Sequence, residues 1–318
     1  MRNFRVQLLA LAIVVPSGVM AQAVSGSWTQ TWGAEFNGGQ SDLSGWTYDL
    51  GNGGPSLPGW GNNELQNYTS SIDNVSVSGG SLHITAIANN NSFTSGRIRT
   101  SELFSQTYGL FEFRAKLPAG QGLWPAIWMM PKDSSYGVWP SSGEIDILES
   151  VGQSDKLVQG TLHSGPNWSQ VNVQTQTFAG SGLQPAGFST HEWHVYNLKW
   201  EKGIGGNPGS FSWYVDGIKY GSRTGGWSVP AGGGADAPFD KPFYLILNMA
   251  VGGNYVGQPS LANGGYDMQV DYVRTYAAVP APPSAWTLGV GLAVLVLGWK
   301  RNTLRNCQEP AFSGPWQG

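Results

Sequence analysis

The sequence predicts an all-β fold, a sandwich of two packed antiparallel sheets. Short segments that alternate between apolar and polar residues recur along the chain, and Gly, Pro and Asn residues separate them. Residues 243–253 are apolar at both parities over their first half, which predicts a strand covered on both sides. No segment of residues 24–277 repeats apolar residues at helical spacing, and this span is long enough for one large β domain.

The exposed faces of individual strands follow from their periodicity. Residues 82–87, 110–117 and 211–215 alternate with period two, which predicts strands with one buried face. In the second of these segments, Phe111, Phe113, Ala115 and Leu117 fall on one face, and Glu112, Arg114 and Lys116 fall on the other. After the third segment, Asp216 and Gly217 supply the turn of a predicted hairpin.

The sequences at both ends of the chain are typical of sorting signals and not of the folded domain. Residues 1–23 combine early Arg residues, an apolar run and a final Ala-Gln-Ala, which is typical of a secretory signal peptide cleaved before Val24. Residues 278–318 form a Pro-rich linker, a short hydrophobic segment and a basic tail. The hydrophobic segment is shorter than the ~20 residues that a spanning helix usually needs. We therefore expect secretion, with the tail serving as a sorting signal or a membrane anchor.

The tail resembles a bacterial sorting signal of the PEP-CTERM kind, in which a Pro-containing motif precedes a short membrane segment and basic residues. It departs from that pattern because Ala281 stands where the motif carries Glu, and because 17 residues follow Arg301. The resemblance implies sorting machinery as a partner, and an ordinary membrane anchor is the alternative.

The composition favours a neutral, polyhydroxylated ligand. Only 12% of the residues are charged, the formal net charge is −3, and the chain contains 15 Trp. Nucleic acid is excluded as a partner because the chain has no excess of basic residues to attract phosphate groups. Aromatic rings, in contrast, stack well on the C–H faces of sugars. The one cysteine, Cys307, lies in the tail, so the domain is built without disulfides. We expect a monomer.

Three carboxylates crowd into the segment GEIDILES, residues 143–150: Glu144, Asp146 and Glu149. In a regular strand the first two share a face and Glu149 points away from them. One extra residue inserted as a β-bulge between Asp146 and Glu149 would return Glu149 to the face of the others. The spacing therefore predicts a bulged strand with three acids on one face.

Paired carboxylates suit the cleavage of a glycosidic bond, because retention of configuration needs a nucleophile and an acid/base about 5–5.5 Å apart. Asp146 could hydrogen-bond Glu144 and modulate its charge, so the three acids would titrate as a coupled set. On spacing alone, a calcium site and a solvated edge strand with incidental acids remain alternatives.

The segment GEIDILES resembles the signature strand of glycoside hydrolase family 16, Glu-x-Asp-x-(x)-Glu, in the longer form of the laminarinase-like, agarase and carrageenase branches. Four other segments resemble laminarinase-like members, namely residues 59–69, 122–131, 243–257 and 270–276. The resemblance runs from about Trp32 to Tyr276. It implies a concanavalin-like β-jelly roll whose concave sheet forms the substrate cleft.

The resemblance also implies roles for individual residues. Glu144 would be the nucleophile, Asp146 its assistant and Glu149 the acid/base. Trp124 and Trp128 fall where the family has cleft aromatics near the cleavage point, although one of them could serve mainly as core.

Three further positions match residues that bind substrate in the family. Asn62 and Arg97 correspond to contacts with sugars on the non-reducing side, and a surface charge is the alternative for Arg97. His163 corresponds to a cleft histidine beside the acid/base, and a structural histidine is the alternative. The family usually has Gly or Tyr after this histidine, whereas this chain has Ser164, which makes the acceptor side less certain.

A second acidic set resembles the calcium site that many relatives carry on the convex face. It comprises Glu35, the backbone near Gly80, and Asp271. Oxygen ligands from three distant segments would pin the ends of the sandwich together. The alternative is that both carboxylates make ordinary hydrogen bonds. No cofactor is required for the chemistry, so a structural Ca²⁺ is the one ion expected.

Together these features predict a secreted, laminarinase-like endo-β-1,3-glucanase that hydrolyses β-1,3-glucan with retention through a glycosyl-enzyme intermediate. Mixed-linkage glucan, agarose and transglycosylation are alternatives within the family, while the low basic charge disfavours sulfated carrageenan. A non-catalytic, lectin-like carbohydrate-binding domain is an alternative of another class, because a fold alone does not confer catalysis. Such a domain would have no need of Glu144 and Glu149 together.

Overall fold

The computed structural model describes residues 24–279. The predicted signal peptide, residues 1–23, and residues 280–318 of the predicted tail lie outside the described residues. The strands are β1 (Trp28–Ala34), β2 (Thr47–Tyr48), β3 (Gln66–Tyr68), β4 (Val75–Ser78), β5 (Ser81–Asn89), β6 (Ser92–Ser95), β7 (Arg97–Arg99), β8 (Gly109–Lys116), β9 (Leu123–Pro131), β10 (Glu144–Glu149), β11 (Gln159–Ser164), β12 (Asn172–Thr177), β13 (His194–Glu201), β14 (Ser210–Val215), β15 (Ile218–Thr224), β16 (Phe243–Val251) and β17 (Gly264–Ala278). Two short 3-10 helices span Gln40–Gly45 and Pro58–Gly61.

The strands form two sheets. The ten-stranded sheet has the order β15-β14-β13-β8-β17-β5-β6-β3, with β1 beside β17 and β4 beside β5. The seven-stranded sheet has the order β12-β11-β10-β9-β16-β7-β2. Neighbouring strands are antiparallel, as predicted, except that β3 runs parallel to β6.

The strands with one buried face are confirmed. Along β8, Phe111, Phe113 and Ala115 are fully buried while the charged residues between them are partly exposed. The hairpin between β14 and β15 turns at Asp216 and Gly217, whose φ angles of 50° and 77° place both in the left-handed region that a tight two-residue turn requires.

The core lies between the two sheets and is rich in aromatic residues. Trp200, Phe211, Trp213 and Phe243 are all buried there, and Phe211 stacks between the two tryptophans with ring centroids 5.5 and 6.0 Å away. The predicted doubly covered strand is β16, which lies in the interior of the seven-stranded sheet and is buried along almost its whole length. These packed side chains give the seven-stranded sheet a rigid back.

The other face of the seven-stranded sheet carries the functional cleft. Its floor is formed by β9, β10, β11 and β16, and irregular segments close its ends. Within residues 24–279, no helix has the length and apolar character needed to cross a membrane.

Candidate active site

Strand β10 contains the bulge that the spacing of its acids predicts. Asp146 pairs with Thr161 of β11, and Glu149 pairs with Gln159, so three steps along β10 correspond to two along β11. The pairing with β9 shifts at the same place, between Asp146 and Leu148. The shift returns the last acid to the face of the first two, and all three acids line one cleft.

Trp213 of β14 supports the bulge from across the core. Its indole N–H donates a 2.9 Å hydrogen bond to the backbone carbonyl of Asp146. Gly160 of β11 leaves room for the indole, because a Cβ at this position would lie 2.1 Å from the ring. A bulge disrupts the ladder of backbone hydrogen bonds, so this indole gives a buried carbonyl a partner. The bulge is therefore part of the packed core.

Glu144, Asp146 and His163 form a cluster on the cleft floor. One ligand-type atom from each lies within 4.8 Å of those of the other two. His163 Nε2 is 3.0 Å from Asp146 Oδ2, a contact at ion-pair distance without the alignment of a good hydrogen bond. Asp146 is buried, and a buried carboxylate needs such a partner. The histidine therefore compensates the charge of the middle acid.

The pKa values of Glu144, Glu149 and His163 are all raised, for different reasons. Burial, followed by the charge of Asp146, raises the pKa of Glu149 to about 8 and that of Glu144 to about 7. Burial alone would lower the pKa of His163, but its contact with Asp146 and the charges of the surrounding acids outweigh burial and raise this pKa to about 10. At neutral pH the cleft therefore holds a cationic His163 and a protonated Glu149.

Two indole N–H groups hold the outer acids. Trp139 donates to Oε2 of Glu144, and Trp124 donates to Oε1 of Glu149 at 3.1 Å. A donor that faces a carboxylate favours its ionised form, so both bonds act against the effect of burial. Each indole contacts one carboxyl oxygen and leaves the other free of that bond. Glu144 and Glu149 are thus held in orientation, and each keeps one oxygen that can react with a substrate.

The cleft has a volume of ≈ 410 Å³ and runs across the seven-stranded sheet. Every substrate-binding residue predicted from the sequence lines it, namely Asn62, Arg97, Trp124, Trp128 and His163. The structure therefore brings the predicted catalytic residues and the predicted binding residues together in one cavity.

Arg97 lies in the cleft wall rather than on an open surface. Its guanidinium carbon lies 4.2 Å from the ring centroid of Trp60 and 4.9 Å from that of Trp128. Its Nε donates a 2.9 Å hydrogen bond to Asp49 Oδ2. An ion pair and two indole faces hold this guanidinium in one geometry, so Arg97 is a fixed cation at one end of the cleft.

A hydrogen-bonded chain beneath the cleft orients Trp128 and Asn62. The Trp128 indole donates to Asn248 Oδ1 at 2.6 Å, and the Asn248 amide donates to the Tyr68 hydroxyl at 3.0 Å. The Tyr68 hydroxyl donates to Glu64, which also accepts a hydrogen bond from Asn62. Burial raises the pKa of Glu64. The amide of Asn62 is therefore anchored from below at the cleft surface.

Two irregular segments meet above the cleft beside the nucleophile candidate. Trp168, between β11 and β12, packs on Trp139 with ring centroids 4.2 Å apart. From the opposite side, a Cβ at Gly61 would lie 3.5 Å from the Trp168 ring. The cleft is thus covered by aromatic surface close to Glu144, and such surface suits the faces of sugar rings.

The sequence interpretation missed several residues of the cleft. They are Trp60, Trp139, Trp168, Asn248 and Tyr255. Trp139 could have been found from its position five residues before Glu144. Trp60, Asn248 and Tyr255 lie within residues 59–69 and 243–257, so the resemblance of these segments to laminarinase-like members could have indicated them. Trp168 lies outside the four segments that carry the resemblance.

The residues of the predicted calcium site already have cationic partners. Arg274 donates to both carboxylate oxygens of Glu35 at 2.7 and 2.8 Å. Arg114 pairs with Asp271 at 2.6 Å. Gly80 lies in the turn between β4 and β5. As arranged, these carboxylates do not fit a calcium ion. Each is already neutralised by a guanidinium group, and the positively charged ion would have to displace it. These ion pairs weigh against the calcium site, which stays a prediction that calcium titration can test.

The carboxyl groups on β10 are arranged as the cleavage of a glycosidic bond requires. Cleavage of a glycosidic bond needs two carboxyl groups that face one cleft, one of them protonated near neutral pH. Glu144 and Glu149 meet both conditions, and the indoles around them suit a sugar chain. The fold and the site together define a glycoside hydrolase.

Comparison with known proteins specifies the family. The family described as "Glycosyl hydrolases family 16" matches residues 62–274. The chain belongs to this family, and the fold is the jelly roll that the sequence resemblance implied.

Two relatives and one solved structure illustrate the similarity. A glucan endo-1,3-beta-glucosidase A1 of Niallia circulans is 44% identical over 263 residues, which cover 77% of this chain and 37% of that protein. A beta-glucanase of Rhodothermus marinus is 39% identical over 259 residues, which cover 78% of this chain and 85% of that protein. The laminarinase catalytic domain of Thermotoga maritima MSB8 superposes with a TM-score of 0.66 at 32% identity, covering 79% of this chain and 99% of that structure. The chain thus spans little more than a third of the first relative.

Proposed function

We propose that this protein is a secreted endo-β-1,3-glucanase that hydrolyses its substrate with retention of configuration. The observation that carries the proposal is the bulge in β10, which places Glu144 and Glu149 on one face of the cleft with Asp146 between them. A relative by sequence is a glucan endo-1,3-beta-glucosidase, and a solved structure with the same fold is a laminarinase catalytic domain. This similarity supports β-1,3-glucan as the substrate.

In the first step, the Glu144 carboxylate attacks the anomeric carbon while the Glu149 carboxyl donates its proton to the glycosidic oxygen. The bond between the anomeric carbon and that oxygen breaks, and the leaving sugar departs with a free hydroxyl group. The raised pKa of Glu149 keeps its proton available near neutral pH. The indole of Trp139 and the cation of His163 both favour the ionised form of Glu144.

In the second step, Glu149 acts as a carboxylate and removes a proton from water. The water oxygen attacks the anomeric carbon, and the bond to Glu144 breaks, which restores the starting state. Two displacements at the same carbon give net retention. The cation of His163 contacts Asp146 and favours the ionised form of Glu144, whereas the charge of Asp146 opposes it. We propose that these two residues together set the charge of Glu144 in both steps.

The extent of the cleft supports attack within a chain. Its lining residues run from Arg97 on β7 to Thr175 on β12. Six strands lie in this path, which at a strand spacing of about 4.8 Å is about 24 Å. Several sugar units can therefore be held on both sides of Glu144 and Glu149.

Secretion is proposed from the sequence of residues 1–23, which is typical of a signal peptide. Residues 278–318 favour retention of the secreted enzyme at the cell surface, either by sorting or by membrane anchoring. We propose that the domain acts as a monomer.

The function is tested by incubating the full chain with laminarin, mixed-linkage glucan, agarose and carrageenan and following new reducing ends. Release from laminarin, with viscosity falling early in the reaction, is the expected result for an endo-β-1,3-glucanase. Nuclear magnetic resonance of the first products should show the β-anomer before mutarotation. First products in the α-anomer would contradict retention.

Two variants separate catalysis from binding. Glu144→Gln and Glu149→Gln should each lose at least about a thousandfold in kcat while laminarin binding persists. Lys219→Ala, an exposed change on β15 of the other sheet, is the matched control and should behave as wild type. Binding of laminarin by the wild type without any release of reducing ends would replace the proposal with a carbohydrate-binding function.

A further inference from the structure

Glu64 is a buried acid of the cleft wall that the proposed catalytic steps do not use. Its side chain lines the cleft, yet only 9% of the residue is exposed. Three uncharged side chains donate hydrogen bonds to it, namely those of Asn62, Gln66 and Tyr68. A buried carboxylate is costly unless donors satisfy it, so the directions of these three hydrogen bonds indicate what Glu64 does for the cleft.

The direction of the Gln66 hydrogen bond is set by the backbone. A backbone N–H can only donate, and that of Val251 donates to Gln66 Oε1 at 2.7 Å. The amino group of the Gln66 amide must therefore face Glu64, and it lies 2.6 Å from Glu64 Oε2. Gln66 is fully buried, so its amide has no solvent partner that would favour the reverse orientation.

The direction of the Tyr68 hydrogen bond is set by the indole of Trp128. An indole N–H can only donate, and this one occupies Asn248 Oδ1 at 2.6 Å. Asn248 therefore turns its amino group to the Tyr68 hydroxyl at 3.0 Å. The hydroxyl oxygen accepts this hydrogen bond, and the hydroxyl donates in turn to Glu64 Oε2 at 3.4 Å. Two donors whose directions are fixed elsewhere thus converge on one oxygen of Glu64.

The other carboxylate oxygen fixes the amide of Asn62. Glu64 Oε1 lies 3.3 Å from Asn62 Nδ2. Burial raises the pKa of Glu64, whereas the three donors and the charge of Arg97 lower it and so favour the carboxylate. A carboxylate can only accept, so Asn62 must give its amino group to Glu64. Asn62 Oδ1 makes no hydrogen bond within residues 24–279 and is left for a ligand in the cleft.

Arg97 is the complement of this acceptor. Its guanidinium stacks on Trp60, two positions before Asn62, so both residues line the same end of the cleft. Arginine can only donate, and a sugar hydroxyl that accepts from Arg97 must donate its own O–H to another group. The oxygen of Asn62 can accept this hydrogen bond, whereas its amino group cannot. The orientation of the Asn62 amide therefore decides whether such a hydroxyl is satisfied.

We propose that Glu64 is a positioning residue, which holds the Asn62 amide with its oxygen toward the cleft so that Asn62 accepts a hydrogen bond from a sugar hydroxyl. The inference rests on the proposed function and assigns a role in glucan recognition to a buried acid outside the catalytic cluster. Glu64 acts through Asn62 and does not touch the reacting atoms.

Glu64→Gln should reverse the Asn62 amide without unfolding the chain. A glutamine side chain accepts hydrogen bonds on one oxygen only, and the fixed donors of Gln66 and Tyr68 claim that oxygen. Its amino group then faces Asn62, whose side chain must turn its own oxygen away from the cleft. The backbone of Asn62 stays in place, because its N–H and its carbonyl both have backbone partners, at 2.9 and 2.8 Å.

The test follows the cleavage of a linear β-1,3-linked hexasaccharide by the full chain. An isotopic label at the reducing end lets mass spectrometry give a separate kcat/KM for each bond that is cleaved. Asn62→Ala should lower the values for those cleavages that place a sugar beside Asn62 by about tenfold, as expected for one hydrogen bond, and leave the others unchanged. Glu64→Gln should lower the same values by about the same factor. The double variant Asn62→Ala/Glu64→Gln should lower them no further.

Two further measurements complete the test. Glu192→Gln makes the same chemical change at an exposed site and should alter none of the values. Neutron diffraction of the deuterated wild type needs no variant. It should locate a deuterium atom of Asn62 Nδ2 between that nitrogen and Glu64, with the Asn62 oxygen toward the cleft.

Four results would each overturn the inference while the proposed function stands. They are values that Asn62→Ala or Glu64→Gln leaves unchanged at every bond, an equal loss at every bond in Glu64→Gln, a further loss in the double variant, and an Asn62 oxygen that faces Glu64 in the neutron map. If the wild type cleaves no bond of the linear chain, the proposed function fails and the inference fails with it.

Discussion

Trp139 donates its indole N–H to the carboxylate of Glu144, five positions further along the same chain. The bond stabilises the ionised form of a glutamate whose pKa burial raises to about 7. Trp124 stands in the same relation to Glu149. Glu144 and Glu149 thus each accept a hydrogen bond from a different indole, and the two indoles can be replaced separately.

Trp139→Phe keeps an aromatic ring beside Trp168 and removes the donor to Glu144. The pKa of Glu144 should rise further, so the low-pH limb of the kcat/KM profile, where Glu144 must ionise, should move up by about one pH unit. Trp124→Phe is the matched comparison. This substitution removes the donor to Glu149 and should raise the pKa of that residue. Because Glu149 must stay protonated to act as the acid, the high-pH limb should move up instead. Equal shifts of both limbs in both variants would contradict the separate roles.

The identity of the nucleophile can be read from the product of azide rescue. With an activated aryl β-glycoside of the substrate, Glu144→Ala leaves space for azide in place of the carboxylate, and a single displacement should give an α-glycosyl azide. In Glu149→Ala the glycosyl-enzyme intermediate still forms, and azide should release it as the β-glycosyl azide. Chromatography and nuclear magnetic resonance distinguish the two products. The opposite pairing of variants and anomers would exchange the roles of the two glutamates.

The bulge depends on Trp213 and on the absence of a side chain at Gly160. Gly160→Ala would push a methyl group into the indole, and Trp213→Phe would leave the carbonyl of Asp146 without this donor. Both changes should displace Glu149 and lower kcat by about tenfold or more, since small misplacements are costly in catalysis. Gly234→Ala, at a glycine with open space around it, is the control. Unchanged kcat in folded variants, judged by circular dichroism, would show that the bulge needs no such support.

Sequence reasoning worked where the determinant is local. The parity of Glu144, Asp146 and Glu149 required a bulge, and the register between β10 and β11 contains one at that place. The Asp216-Gly217 turn is equally local, because two left-handed residues define it.

Features that depend on strand register escaped prediction. Arg274 faces Glu35 because β1 and β17 pair with Gly33 opposite Arg274, and Arg114 reaches Asp271 because β8 pairs with the same strand. The cover that Trp168 forms over the cleft arises from two segments more than a hundred residues apart in sequence. Such contacts follow from the assembled sandwich, and no spacing within one segment signals them.

The raised pKa of Glu149 predicts a gain in stability when this residue is neutralised. Below pH 4.5 the carboxyl is protonated in both the folded and the unfolded chain. As the pH rises from 4.5 to about 8, the unfolded chain ionises while the folded one resists, so stability is lost across that window. Glu149→Gln should therefore melt at nearly the wild-type temperature at pH 4 and about 4 °C above it at pH 8.5.

The control for this stability effect is Glu192→Gln, an exposed carboxyl with no ion pair within residues 24–279. Its melting temperature should follow wild type at both pH values. A gain in Glu149→Gln that is the same at pH 4 and at pH 8.5 would show that the effect comes from packing and not from the charge.

Calcium, if it binds, must compete with the ion pair between Glu35 and Arg274. The sequence resemblance predicts that chelation lowers the melting temperature without abolishing activity, because the ion would tie the ends of the sandwich together far from Glu144. Differential scanning calorimetry with added Ca²⁺ and with chelator measures this effect. Glu35→Gln should melt at one temperature under both conditions. A wild-type melting temperature that is independent of calcium would show that the predicted site is wrong and that Glu35 and Asp271 serve in their ion pairs with arginine.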